Sequence, residues 1–195
     1  MSSIDQIRKT FAEQRYVKIE RLMEDGLRQM LYDHVQRRLP VLKGSEWPGF
    51  EGAPEMFSDQ LMEFVLAGVK PRIEELSGLT LDPTYSFLRV YRRGHRLPRH
   101  LDRASCEVSV SVNLGPKLEQ PWPIWLKGPL SESAVDLAPG DAVLYRGIEC
   151  EHWRDPLEAN EQTQVFLHYV ERDGKYSAHK YDKRDAIGIL KNDSK

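Results

Sequence analysis

The sequence predicts a mainly β protein with flanking helices, an α+β arrangement whose strands form a sandwich or small barrel. Three observations predict it. Apolar residues recur at helical spacing as far as Leu76, whereas from residue 84 the period shortens to that of strands. The segment Cys106-Glu-Val-Ser-Val-Ser-Val-Asn113 alternates strictly, and turn signals such as Pro139-Gly140-Asp141 separate the strands that follow. The length of 195 residues suits one domain: a support region of helices with one early strand over 1–83, a β core over 84–171 and a tail over 172–195.

In order along the chain, Ile4 to Glu13 reads as a helix with Ser3 or Asp5 placed to cap it, and Tyr16 to Ile19 as a strand. Leu22 to Leu39 is a helix ended by Pro40, with Leu22, Met23, Leu27, Met30, Leu31 and Val35 as its apolar stripe. Lys43 to Pro54 holds three Gly, two Pro and a Trp and reads as a loop, long enough to serve as a lid over a site. Met56 to Leu76 is again helical, kinked or divided at Pro71 and closed by Gly78. Strands are expected over Tyr85–Tyr91, Glu107–Leu114, Pro123–Lys127, Ala134–Leu137, Ala142–Tyr145 and Thr163–Glu171, and a last helix over Ser177–Leu190.

Composition excludes several classes. Apolar content of 40%, charged content of 30% and a formal charge of −2 describe an ordinary globular chain and give no electrostatic reason to expect nucleic acid or an anionic membrane as partner. No apolar run approaches the ~18 residues of a membrane span, and the first ten residues do not form a signal peptide. Two cysteines, Cys106 and Cys150, are too few for a disulfide framework and suit a reducing, cytoplasmic setting. The arginines 89, 92, 93, 96, 99 and 103 suggest a local rim that attracts anions.

The chemistry lies in His100-Leu101-Asp102 and in His152, fifty residues after Asp102. On an extended segment, residues two apart share a side, so His100 and Asp102 can face one interior point. Two imidazoles and one carboxylate on one face of a metal leave about three positions open, as an iron(II) oxygenase needs for a bidentate co-substrate and dioxygen. His168 on the last strand reads as a core or barrel-lining residue, His95 as solvent-exposed, and Trp153 as a candidate wall of the site.

Tyr91-Arg-Arg-Gly-His-Arg-Leu-Pro-Arg-His100-Leu-Asp102 resembles the tyrosine, glycine and HxD stretch of the prolyl-hydroxylase-like branch of the iron(II)/2-oxoglutarate dioxygenases. Leu137-Ala-Pro-Gly-Asp-Ala-Val-Leu-Tyr-Arg-Gly, followed by His152, is similar to that family's segment bearing the distal histidine. The resemblance covers roughly residues 84–171. It implies a double-stranded β-helix (cupin or jelly-roll-like), Fe(II) on His100, Asp102 and His152, 2-oxoglutarate as co-substrate with Tyr91 bonded to it, and hydroxylation of a small molecule or a peptide or protein side chain. The chain departs from the pattern where the family sets a cation nine or ten residues past the distal histidine, because Glu161-Gln-Thr-Gln164 stands there. Arg154, two residues past His152 and on its face, is the candidate replacement, with Gln164 as a second donor. The departure leaves two alternatives open: a cupin-type metalloenzyme that does not use 2-oxoglutarate, with His168 or His95 joining the metal, or a metal-binding cupin module. The arginines favour a carboxylate-bearing substrate.

Overall fold

A computed structural model describes residues 3–189. The elements run α1 (Ser3–Gln14), β1 (Tyr16–Ile19), α2 (Asp25–Arg38), β2 (Lys43–Gly44), β3 (Pro54–Phe57), α3 (Gln60–Ser77), β4 (Leu81–Arg92), β5 (Leu97–His100), β6 (Val108–Gly115), β7 (Ile124–Lys127), β8 (Glu132–Val135), β9 (Ala142–Tyr145), β10 (Glu151–Arg154) and β11 (Glu161–Glu171). A seven-stranded sheet in the order β1-β9-β6-β11-β4-β3-β2 accompanies a four-stranded sheet in the order β5-β10-β7-β8. Every pairing is antiparallel.

The alternation of β6 explains the layering. Val108, Val110, Val112 and Leu114 pack with Leu88, Val90, Val165 and Leu167 against Leu31, Val35, Met62, Leu66 and Ile73 of the helices. The other face of the large sheet carries Ser109, Ser111 and Asn113 on β6, Phe87 and Tyr91 on β4, and Phe166 and His168 on β11. Alternation usually marks a strand with one wet face, but all eight residues of β6 are buried. Its polar face is enclosed because it lines the interior that holds the metal candidates. Between the sheets, Tyr16, Val143 and Tyr145 pack on Ile124, Leu126 and Cys150.

Several elements differ from their sequence reading. Met56 belongs to β3, and α3 starts at Gln60, where the Asp59 carboxylate accepts from the Leu61 and Met62 amides at 3.1 and 3.2 Å. Pro71 neither divides nor ends α3, since it lies on the exposed side, where water can satisfy the carbonyl it strands. The 43–54 loop opens with β2 and closes into β3 (Lys43 opposite Glu55), so it is anchored at both ends. In α2, Leu27 and Met30 face solvent and only Leu31 and Val35 are buried. Strand β4 begins four residues earlier than expected, at Leu81, and β8 covers Glu132–Val135 instead of Ala134–Leu137. Two strands, β5 and β10, were not legible as separate elements.

The last helix is absent as such among the described residues. Ser177–Lys183 forms two short 3-10 turns broken at Lys180 to Asp182, and Leu190 lies outside the described residues. The break has a physical cause. Asp182 turns inward to accept from Arg103 at 2.9 Å, and Arg184 reaches the buried Glu63 at 3.1 Å and the Thr84 carbonyl at 2.7 Å.

Candidate metal centre

The register of the small sheet assembles the site. Strand β10 pairs with β5 so that His152 stands opposite His100, their ring centroids 4.2 Å apart. Asp102 lies just past the end of β5, not on the strand, and its amide donates to the Gly147 carbonyl at 2.9 Å. Its Oδ1 is 3.8 Å from His100 Nε2 and 3.7 Å from His152 Nε2, and the three ligand atoms all lie within 4.8 Å of one another. Metal ligands at ~2.1 Å from one ion stand roughly 3 Å apart when they meet at right angles, so closing on an ion needs less than about 1 Å of movement.

The supporting bonds suit a metal. His100 Nδ1 bonds the Pro98 carbonyl at 2.7 Å and His152 Nδ1 bonds the Cys150 carbonyl at 3.0 Å. A carbonyl can only accept, so both rings carry their proton on Nδ1 and present bare Nε2 atoms. Burial holds the His152 imidazole below its usual range, against the pull of Asp102, and so keeps it neutral. The Ser109 hydroxyl lies 3.0 Å from Asp102 Oδ2 and 2.9 Å from His168 Nδ1. These supports make the donor set fit a 2-His-1-carboxylate centre such as non-haem iron.

Three residues that sequence reasoning did not single out matter here: Ser109, Gly147 and Tyr145. A Cβ at position 147 would collide with the Asp102 carboxylate and the Cys106 carbonyl, so only glycine lets the loop pass. The buried Tyr145 ring stands edge-on to His152 at 4.8 Å. The inward, polar phase of β6 was the available signal for Ser109.

A second group, Asp102, Cys106 and His168, has its ligand atoms equally close together. Burial pushes the Cys106 thiol up, and the thiol lies 3.0 Å from the Tyr85 hydroxyl, so it stays protonated and is a poor ligand. Burial also takes His168 down to about 4. Its ring packs on Tyr85 at 4.6 Å, which fits the barrel-lining reading.

The triad opens into a cavity of 480 Å³ whose wall includes Tyr91 and, from the 43–54 loop, Trp47, Pro48 and Phe50. Arg154 and Gln164 line a separate cavity of 240 Å³. Trp122 stands between them, its ring 4.9 Å from Tyr91 and 4.7 Å from the Arg154 guanidinium. The inward face shared by His152 and Arg154 is present, since both are buried while Glu151 and Trp153 are only partly so. Arg154 donates to the Trp122 carbonyl at 2.7 Å and to Gln164 Oε1 at 3.4 Å, and its buried Nε has no partner. No carboxylate pairs with it among the described ion pairs. Burial lowers its pKa to about 10.

Other expectations resolve differently. Trp153 points away from the metal: it stacks on Trp125 at 5.9 Å under Arg99 on the outer face of the small sheet. His95 is half-buried and closes a turn by accepting from the Arg92 amide at 2.9 Å. Four arginines of the rim are held by the chain's own acids, Glu55 on Arg89, Glu161 on Arg92, Glu132 and Glu151 on Arg99, and Asp182 on Arg103, whereas Arg93 donates to Asn160 and Arg96 is exposed.

No family model matches the sequence, and no curated protein matches it. Solved structures do. One is a Pseudomonas putida prolyl-4-hydroxylase, 18% identical, with a TM-score of 0.70 over 88% of this chain and 100% of that one. Another is the non-heme alpha ketoglutarate dependent epimerase SnoN from nogalamycin biosynthesis, 10% identical, TM-score 0.75, covering 87% of this chain and 83% of that one. A third is a Trichoplax adhaerens prolyl hydroxylase in complex with a hypoxia inducible factor peptide fragment, 14% identical, TM-score 0.71, covering 90% and 91%. The chain thus has the double-stranded β-helix fold in which these enzymes are built.

Proposed function

We propose that the protein is a non-haem Fe(II)/2-oxoglutarate-dependent oxygenase that hydroxylates a second substrate. The observation that carries the reading is the triad itself: three convergent ligand atoms, with both imidazoles turned Nε2-inward by backbone carbonyls. A similar structure from Streptomyces hygroscopicus with nickel and 2-oxoglutarate bound supports the co-substrate. Iron, when bound, supplies the oxidising chemistry, coupled to decarboxylation of 2-oxoglutarate.

The chain's own residues do the rest. His100, Asp102 and His152 hold the metal on one side, and Ser109 and Gly147 fix the carboxylate that completes the set. Arg154 sits two residues from His152, ~7 Å along β10, with a buried charge and no acid beside it among the described residues. With Trp122 turned aside from its place between the two cavities, a five-carbon diacid held at the metal by its keto end would bring its far carboxylate to that guanidinium and supply the missing counter-charge. We assign Arg154 as the anchor, with Gln164 orienting it and Tyr91 walling the metal side. Tyr145, buried edge-on to His152, keeps water from the metal side. The two buried, unpaired cysteines support a reducing, cytoplasmic location.

The test is 2-oxoglutarate turnover. Purified protein with Fe(II) and ascorbate should release succinate, and His152→Ala and Asp102→Ala should not. Iron binding with no succinate in wild type, with or without candidate substrates, would favour a cupin-type metalloenzyme of another kind.

A further inference from the structure

We infer that the second substrate is a small, uncharged, largely apolar molecule with a flat ring system. The inference rests on the oxygenase reading above and replaces the carboxylate-bearing substrate that the arginine count suggested.

The cavity over the triad has an aromatic lining. Tyr85 and Phe87 project from β4, Phe166 answers Phe87 across the register with ring centroids 6.3 Å apart, and Phe50 and Trp47 come from the 43–54 loop. Its 480 Å³ lies in the range of about 300–1,000 Å³ typical of small-molecule sites, and the metal and its chelate take part of it.

The charges in this wall are already neutralised. Arg89 gives Nε and Nη2 to Glu55 at 3.0 and 2.9 Å, and its guanidinium carbon sits over the Phe50 ring at 3.8 Å. Arg103 donates to Asp182 at 2.9 and 3.2 Å and covers the Tyr85 ring at 4.6 Å. Each pair sums to zero, so an anion entering here would meet an acid beside every arginine of the wall. What these guanidiniums offer a ligand is a planar face suited to stacking.

The mouth agrees. Trp47 is 68% exposed and Leu101 is 50% exposed, yet both line the cavity. Large apolar side chains left in water at the lip of a pocket are suited to collecting apolar ligands. A peptide laid across the same lip would set its amides against Leu101 and Trp47, which offer them one indole N–H between them, a costly desolvation.

The experiment is calorimetric titration, under argon, of Fe(II)/2-oxoglutarate-loaded protein with matched probes. These are naphthalene-2-carboxamide, naphthalene-2-carboxylate and the capped tripeptide acetyl-Ala-Phe-Ala-amide. The amide should bind about tenfold or more tightly than either competitor. A carboxylate that binds as well as the amide, a peptide that binds best, or no binding of the amide at millimolar concentration would each overturn the inference. Glu55→Gln unmasks Arg89 and should raise carboxylate affinity roughly fivefold or more while leaving the amide unchanged, which also reports an intact pocket. An unaltered carboxylate affinity refutes the masking argument. Succinate formed without any second substrate reports separately on the oxygenase reading, so the two can fail independently.

Discussion

Arg154→Met should stabilise the ligand-free protein. The guanidinium is fully buried, and burial brings its pKa well below the usual arginine range, to about 10. At ~1.4 kcal/mol per unit, that is about 3 kcal/mol against the charged form. For a base held below its unfolded value the cost is complete at neutral pH and fades only as pH climbs above about 10. Methionine of similar length removes that cost. It also forfeits the 2.7 Å bond to the Trp122 carbonyl and the contact with the Trp122 ring, together worth roughly 2 kcal/mol. The net is a gain of about 1 kcal/mol, or ~2–4 °C in Tm for a chain of this size. Adding 2-oxoglutarate at ~100 times its Kd to anaerobic Fe(II) protein should stabilise wild type by about 2.7 kcal/mol and the variant by almost nothing. Differential scanning fluorimetry reads both. A variant that melts several degrees lower and still responds to 2-oxoglutarate would refute the reasoning, because Arg154 would then be satisfied internally and would not be waiting for an anion.

Further outcomes follow from the same geometry. Ser109→Ala frees Asp102 Oδ2 and should weaken Fe(II) binding by about 10–100-fold with little change in fold, measured by competition with a metal-sensitive dye. Gly147→Ala forces its methyl into Asp102 and the Cys106 carbonyl, and should abolish tight iron binding in the same assay. His168 is held down to about 4, below its unfolded ~6.5, so it takes up a proton on unfolding in acid. Stability should be unaffected above pH ~6.5 and fall by about 3 kcal/mol in total as pH drops through 4, and urea midpoints should show a shallower fall for His168→Gln. Arg184→Met strands the buried Glu63 that α3 presents to the C-terminal segment and should cost about 3–5 kcal/mol, read as a lowered urea midpoint.

What the sequence made legible follows from periodicity and spacing. The period-2 run of β6 and the long apolar strands β4 and β11 declare themselves because their patterns are continuous over eight or more residues. The HxD pair and His152 were legible as a metal set. What aligns them was not: β5 and β10 are four residues each, one too rich in Pro and Arg and the other too charged to read as strands, and they hold their place through tertiary pairing, β10 between β5 and β7 and β5 at the sheet edge. Spacing placed Arg154 on the face of His152 but could not show that Trp122 divides that face into two cavities. The pairing of four of the arginines was not legible, because their acids come from residues 55, 132, 151, 161 and 182, most of them far along the chain. An ion pair formed by tertiary folding leaves no local signature. The stripe of α2 was overcounted for a related reason: helical spacing cannot show that the sheet reaches Leu31 and Val35 but not Leu27 or Met30.

The most direct test of the account is anaerobic titration of the protein with Fe(II) and then 2-oxoglutarate, followed by visible absorption. The account predicts a weak charge-transfer band from the iron chelate that saturates at one equivalent of metal and is absent in His152→Ala. Tight iron binding with no band on adding 2-oxoglutarate, or a band that survives in His152→Ala, would contradict it.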